Sequence, residues 1–292
     1  MKTKLFLWLC LLMTSASQAG TSNINGFDRV EYIRYSGEYV RTGIMNSKLP
    51  ITKGNILYLQ GFADSMMNHR PLFEKIASAG FNIIAFDYVG QGDSTGSMNS
   101  MSITKINKLA TNVWDYYVDD KAEKKIILGW STGGLAAYKY GHDFENEVKA
   151  LILLTPGIIV KPVLSVKLET LTRVNYRMGV HDPHIDPIRP SSPMLVPTFA
   201  ASLASTAIFK STRYKLSKKI KGMALFASND DAYIFSNASY KVLKANNPHF
   251  KVHQYKKQGY FLSKGALHEL DNEISTIASD VRKRIIAFLN EI

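Results

Sequence analysis

The pentapeptide Gly129-Trp130-Ser131-Thr132-Gly133 constrains this chain more than any other feature. It joins an apolar run, Ile126-Ile127-Leu128, to a helix-compatible run, Leu135-Ala136-Ala137-Tyr138. A serine at a sharp strand-to-helix turn carries its hydroxyl above the sheet edge, open to a substrate. Glycines two positions to either side fit, because Cβ atoms there would collide in so tight a turn. The helix that follows aims free N–H groups and the positive end of its dipole at the same place, where negative charge develops during acyl transfer. Glycine and serine are common, so the pattern draws its meaning from a strand before it and a helix after it. It predicts a nucleophile elbow, and with it a parallel sheet whose strands end near Ser131.

The rest of the chain keeps that rhythm. Val30 to Tyr35 and Glu38 to Thr42 alternate around Ser36-Gly37 and predict a β-hairpin. Strands are expected at Asn55 to Gln60, Phe81 to Asp87, Lys125 to Trp130, Lys149 to Leu154, Met223 to Ala227 and Lys251 to Tyr255. Helices are expected at Asn68 to Ala79, Ile103 to Val118, Phe235 to Ala245 and Asp271 to Leu289, each with apolar residues at helical spacing. Strands alternating with helices predict an α/β fold, a mostly parallel sheet covered on both faces. From about 158 to 219 the alternation fails and prolines recur at 162, 183, 187, 190, 193 and 197. This stretch reads as a helical cap insertion over the sheet edge.

Lys2 and Lys4 precede an apolar core, Leu5 to Met13, which is short for a bilayer span, and Ser17-Gln18-Ala19 supplies small residues for a signal peptidase. Residues 1–19 therefore read as a signal peptide and 20–292 as one domain. The single cysteine, Cys10, lies in the signal, so the mature chain has no thiol to oxidise or to bind zinc. A bacterial periplasmic or secreted location follows. The formal net charge of +12 stays strongly positive without the two signal lysines. Basic chains favour anionic partners. With no nucleic-acid module and an export signal, nucleic acid is not expected, whereas peripheral contact with anionic membrane is.

A serine hydroxyl needs a general base, and the base needs an orienting carboxylate. On this kind of sheet the chain order is Ser, acid, His, which removes His69. Of the later histidines, His268 precedes the closing helix after the last strand and is the expected base, while His249 and His253 read as surface or packing residues. Asp230 follows the strand Met223 to Ala227 and is the expected acid. Asp231 is the alternative, and either also suits a turn or a helix cap. His181-Asp182-Pro183-His184-Ile185-Asp186 reads as a cap loop rather than a metal site, and no cofactor is called for.

These residues resemble the α/β-hydrolases of the serine aminopeptidase-like, monoglyceride lipase and lysophospholipase group. Leu59-Gln60-Gly61-Phe62-Ala63-Asp64-Ser65 is similar to that group's His-Gly oxyanion loop, with Gln60 for the usual His. Phe81 to Ser94 is similar to its Gly-Tyr…Asp-x-Arg-Gly-x-Gly-x-Ser stretch, with Val89 for the usual Arg. Ala227 to Asp230 and His268-Glu269-Leu270-Asp271-Asn272-Glu273 resemble the segments that carry its acid and its histidine. The resemblance implies that backbone N–H groups of Phe62 and Thr132 form the oxyanion hole, in keeping with one donor after the nucleophile and one from an early loop. It implies a serine esterase working through an acyl-enzyme. Apolar cap residues such as Leu164, Leu168 and Phe199 suit a small-molecule acyl ester, a lysophospholipid or monoacylglycerol, although packing onto the core accounts for most of them. The other readings are an aminopeptidase or amidase, and a catalytically silent lipid-binding protein on the same fold. Between Ile188 and Asn229 there are seven basic residues, among them Arg189, Lys210, Arg213, Lys215, Lys218, Lys219 and Lys221, and no acid. This basic run beside the cap would steer the protein to an anionic surface.

Overall fold

The computed structural model describes residues 26–62, 64–160, 214–228, 234–256 and 276–292 of the 292. The elements, in chain order, are β1 Arg29–Tyr35, β2 Glu38–Met45, β3 Asn55–Leu59, α1 Arg70–Ser78, β4 Asn82–Phe86, α2 Ile103–Tyr117, β5 Lys125–Trp130, α3 Thr132–Asp143, β6 Val148–Leu154, β7 Lys221–Phe226, α4 Ser236–Asn246, β8 Lys251–Gln254 and α5 Thr276–Leu289. They agree with the sequence expectation to within a few residues at each end. The expected helix from Asn68 is the exception: Met66–His69 forms a 3-10 turn, and the α-helix starts only at Arg70, where Pro71 occupies its first turn. The first residues expected in the closing helix, 271–275, lie outside the described residues, as do 1–25 and most of the cap.

The eight strands form one sheet in the order β1-β2-β4-β3-β5-β6-β7-β8. β1 and β2 are the hairpin, closed by Ser36 and Gly37, both at positive φ (51° and 89°), as a two-residue turn matching the strand twist demands. β2 runs antiparallel to β4, and every pairing from β4 to β8 is parallel. After β3 the chain places β4 on one side and β5 on the other. The carboxyl ends of β3 and β5 thus form the crevice where open α/β sheets receive ligands.

Side-chain alternation distributes the strands between two cores. Leu57, Leu59, Ile84, Phe86, Ile127, Leu151, Leu153, Ala224 and Phe226 face one side, under α2, α3 and α4. Their neighbours Ile56, Tyr58, Ile83, Ala85, Ile126, Leu128, Trp130, Ile152, Leu154, Met223 and Leu225 face the other, under α1 and α5. Strands buried on both faces read as continuous apolar runs, which is what the sequence shows. Each fully buried aliphatic side chain contributes about 1.5–3 kcal/mol.

The two described ends of the insertion belong to this body. Ile158 and Ile159 are buried, and Val160 pairs with Ile234 in an antiparallel bridge. On the return, Leu216 and Ile220 are buried against the α2/α3/α4 side. The insertion leaves at the carboxyl end of β6 and comes back at the amino end of β7. Its return segment carries Lys215, Lys218, Lys219 and Lys221, all exposed, at the end of the sheet opposite Ser131.

The tightest constraint in the molecule is where α3 meets β3. A Cβ on Gly133 would lie 2.0 Å from the Leu59 carbonyl oxygen, and one on Gly129 would lie 2.4 Å from the Gly133 carbonyl oxygen. Both obstacles are backbone, which no rotamer change relieves. Gly133→Ala should therefore cost more than the 0.5–1 kcal/mol that Gly and Ala differ by in an ordinary helix, and should do so by destabilising rather than stabilising. Chemical denaturation of the purified variant checks this, and a midpoint equal to the parent's would contradict the packing described.

Candidate active site

Ser131 sits between β5 and α3, with φ 53° and ψ −115°. That backbone region is sparsely populated for a residue with a side chain and costs on the order of 1–3 kcal/mol. The surroundings over-determine it. The Ser131 N–H donates to the Leu154 carbonyl at the end of β6 (2.9 Å), and its own carbonyl accepts from Leu135 (3.1 Å) and Gly157 (2.9 Å). Thr155, next to Leu154, is also at positive φ (40°) and donates to the Leu225 carbonyl of β7 (2.7 Å). The strain is held by backbone bonds to two neighbouring strands. Ser131 and Thr132 stay partly exposed, whereas Gly133 and Gly134 behind them are buried. Thr132 is the first residue of α3, so its N–H has no carbonyl one turn earlier within the helix.

Phe62 lies on the loop after β3, partly exposed and beside the same crevice. The loop around it is pinned by buried polar groups. Gln60, at the position of the expected His, is fully buried. Its side-chain amide donates to the Asp64 carbonyl (3.1 Å), and its own carbonyl accepts from the Tyr88 hydroxyl (2.8 Å). The Asp64 carboxylate accepts from the Asn68 amide (2.7 Å) and pairs with His69 Nε2 (2.6 Å). His69, set aside as a base on chain order, is buried against Tyr58, Phe73 and Trp130. It holds the loop rather than facing solvent.

A second buried pair completes the loop. Arg41 of β2 donates through Nε to Asp87 Oδ2 (2.6 Å) and through Nη2 to the Ser65 hydroxyl (2.9 Å). Asp87 Oδ1 accepts the Met66 N–H (2.8 Å), and Oδ2 also accepts the Asp93 N–H (3.1 Å). Val89, where the similar family stretch carries Arg, is buried in the core. The guanidinium facing Asp87 comes from another strand. Arg41 carried no motif, and only its place in the alternating hairpin hinted that an inward-facing charge needed a partner.

Asp230, Asp231 and His268 lie outside the described residues. What is described is where their segments begin. Ser228 ends the residues after β7, and Lys256 those after β8. Both strands run parallel to β5, so both segments leave the sheet at the Ser131 end. Adjacent strands lie about 4.8 Å apart, which puts the end of β7 about 10 Å from that of β5. The chain returns at Ile234 on the Val160 bridge, and Phe235 donates to the Ile159 carbonyl (2.8 Å), which fixes the far end of the 229–233 segment beside β6. His249 and His253 are half-buried, and burial lowers both from the usual histidine range.

Residues 50–197 match the model of the family described as serine aminopeptidase, S33. The match spans about half of the chain, and the chain belongs to this family of α/β-hydrolases. It is 26% identical over 119 residues to the Mycoplasma pneumoniae protein named "Putative esterase/lipase 2", covering 40% of this chain and 44% of that one. It is 30% identical over 99 residues to the Escherichia coli protein named "Uncharacterized protein YfhR", 34% of this chain and 35% of that one. The chain thus spans less than half the length of the curated relatives it matches. Among solved structures, it is similar in fold to the Saccharomyces cerevisiae monoglyceride lipase (TM-score 0.68, 12% identity, 94% of this chain and 98% of that one). It is likewise similar to the Paleococcus ferrophilus monoacylglycerol lipase (TM-score 0.64, 16% identity, 86% and 98%).

Burial pushes the Asp87 carboxyl up to about 6, with Arg41 and the Met66 and Asp93 N–H groups pulling the other way. Desolvation outweighs the ion pair here, as it does for many buried pairs. Below the ordinary aspartate value both folded and unfolded chains hold this proton. Between that value and 6 the unfolded chain releases it first, so the contribution of Asp87 to stability falls as pH rises through this window. Asp87→Asn should remove that fall, which amounts to about 3 kcal/mol at 1.36 kcal/mol per pH unit. Denaturation curves of the two proteins from pH 4 to 7 check it, and parallel curves would contradict it.

Proposed function

We propose that this chain is an exported serine hydrolase that cleaves carboxylic esters of monoacyl lipids, a lysophospholipid or a monoacylglycerol, through an acyl-enzyme. The observation that carries the reading is the strained Ser131 backbone at the carboxyl end of β5, with the first turn of α3 directly behind it. The relative named as a putative esterase/lipase supports an ester hydrolase, and the lipases of similar fold suggest the monoacyl substrate.

In this reading Ser131 Oγ attacks the ester carbonyl while His268 takes its proton, and Asp230 orients the imidazole. The carbonyl oxygen gains charge and is met by the N–H groups of Thr132 and Phe62, in a crevice where such donors act at low dielectric. Collapse of the tetrahedral species expels the alcohol, which takes the proton from His268. Water, deprotonated by His268, then attacks the acyl-Ser131 and releases the acid. The strained turn supports this role, because it fixes the hydroxyl relative to the two donors before substrate arrives.

The family's description favours a second reading, an aminopeptidase. That activity needs a carboxylate within reach of a free amine. Asp64 and Asp87, which follow β3 and β4 at this end of the sheet, are buried and already committed to His69, Asn68 and Arg41. Neither reaches a substrate. A panel of acyl esters and aminoacyl amides separates the readings, and turnover of the amides alone would replace the ester proposal. Ser131→Ala should lose on the order of 10⁴-fold in ester turnover while folding normally, and Asp230→Asn should lose far more than Asp231→Asn. Near-normal turnover of Ser131→Ala would sink the nucleophile, and the reverse ranking of the two aspartates would move the role to Asp231.

Peripheral contact with anionic membrane, if made through the cap, rests on Arg189, Lys210 and Arg213, which lie outside the described residues. Lys218 and Lys219 lie at the opposite end of the sheet from the site. Lys218→Glu with Lys219→Glu should therefore leave turnover on anionic vesicles within about twofold of the parent, because a charge more than a Debye length from the surface is screened. A selective loss on vesicles, with soluble-ester turnover intact, would instead assign the contact to the amino end of β7.

A further inference from the structure

The buried Arg41–Asp87 pair does something the family motif does not name. We infer that Arg41 and Asp87 are positioning residues for the oxyanion hole, holding the β3 loop so that the Phe62 N–H faces the oxygen of an ester attacked by Ser131. The inference rests on the serine-hydrolase reading for its chemistry and on the structure for its geometry.

Phe62 is partly exposed, on a loop with no regular backbone ladder. The chain on either side of it is anchored at three levels. On the near side, Gln60 is held by the Tyr88 hydroxyl. In the middle, Asp64 is held by Asn68 and His69. On the far side, Ser65 and Met66 are held by Arg41 and Asp87. The first two sets reach the loop from its own sequence neighbours or from one hydroxyl. The third joins it to a different part of the sheet by charge. Arg41 sits on β2, Asp87 at the end of β4, and each donates to or accepts from the loop while bonding the other.

The pair is enclosed by its surroundings. Asp87 is fully buried and Arg41 nearly so. Arg41 also receives register from Ser94: its N–H donates to the Ser94 hydroxyl (2.9 Å), which donates to the Asp87 carbonyl (2.9 Å). Gly92 closes over the carboxylate so tightly that a Cβ there would lie 2.2 Å from it. Asp93 is a further charge near Arg41, 4.0 Å from Nη1 and about half-exposed. At neutral pH the Asp87 carboxyl is ionised, so the pair is a charged one. A buried pair of this kind adds little net stability compared with apolar side chains, but it fixes one geometry, because its breakage strands a charge. An oxyanion donor needs such a fixed geometry. Its contribution depends on a donor distance of about 2.7–3.1 Å to an oxygen that exists only in the transition state.

A purely structural pair and a positioning pair differ in what their loss changes. If the pair positions Phe62, Arg41→Met and Asp87→Asn lower kcat on a soluble p-nitrophenyl ester by about 10- to 100-fold with KM within about threefold, since a misplaced donor weakens the transition state and not ester binding. Arg41→Lys, which keeps the charge but not the two-armed geometry, recovers only part of kcat. Backbone hydrogen exchange at pH 8 then quickens by about tenfold or more over residues 61–67 and stays as in the parent over β5 and α2. Unchanged kcat and exchange in folded variants would overturn the inference. So would exchange that quickens evenly along the chain, or a KM rise with kcat intact. Should Arg41→Met and Asp87→Asn fail to fold, Ser65→Ala decides by the same two measurements, because it deletes one hydroxyl that accepts from Arg41 and, at a longer 3.3 Å, from the Met67 N–H. If the parent protein neither turns over esters nor takes a fluorophosphonate label at Ser131, the serine-hydrolase reading falls. The exchange measurement then still decides whether the pair orders the loop.

Discussion

The backbone contact between the start of α3 and the end of β3 governs the architecture of the site. Gly133 packs where a Cβ would meet the Leu59 carbonyl at 2.0 Å. That approach brings Thr132, the first residue of the helix, beside the loop that carries Phe62. It also forces the chain to turn from β5 into α3 within one residue, and that residue is Ser131 at φ 53°. A looser helix would leave the serine in ordinary backbone geometry, so the strain at Ser131 is a result of this packing.

The sheet supplies the stability that such strain draws on. Ser131 is tied to β6, Thr155 to β7, and Tyr255 after β8 to the Phe226 carbonyl (2.9 Å). Successive strand ends are linked across the sheet by backbone bonds running outward from the elbow. Side chains on both faces are nearly all apolar and buried, so these strand ends cannot shift singly without opening one core or the other. A parallel sheet covered on both faces is well suited to hold an unfavourable backbone conformation at one of its ends.

Much of this was legible in the sequence, for a definite reason. Ile126 to Leu128, Ala150 to Leu154 and Met223 to Ala227 are unbroken apolar runs, and such short runs have few other structures open to them. The elbow was legible because its glycines are a steric requirement that leaves a local trace. The 3-10 turn at Met66–His69 was not, since its apolar spacing matches that of the helix it precedes. Nor was the Arg41–Asp87 pair: its members lie 46 residues apart and meet only because β2 and β4 pair antiparallel, with Thr42 opposite Phe86. His69 shows the opposite case. Chain order removed it as a base, and its burial against Asp64 and three aromatic rings gives it a different occupation.

Charge is distributed in this molecule by depth. The exposed lysines of the return segment lie at the amino end of β7, among groups that water screens and that form no fixed geometry with the site. The ionisable groups close to the crevice, Asp64, His69, Arg41 and Asp87, are buried in pairs that join the β3 loop to itself and to β2 and the end of β4. Such pairs are poor sources of net stability, because desolvation consumes most of the attraction. They are effective at selecting one loop conformation among several of similar apolar content, since any other leaves a buried charge without its partner. The α/β sheet alone would place the β3 loop in the right neighbourhood. The buried pairs restrict it to one arrangement there, and the proposed oxyanion donor on that loop depends on the restriction.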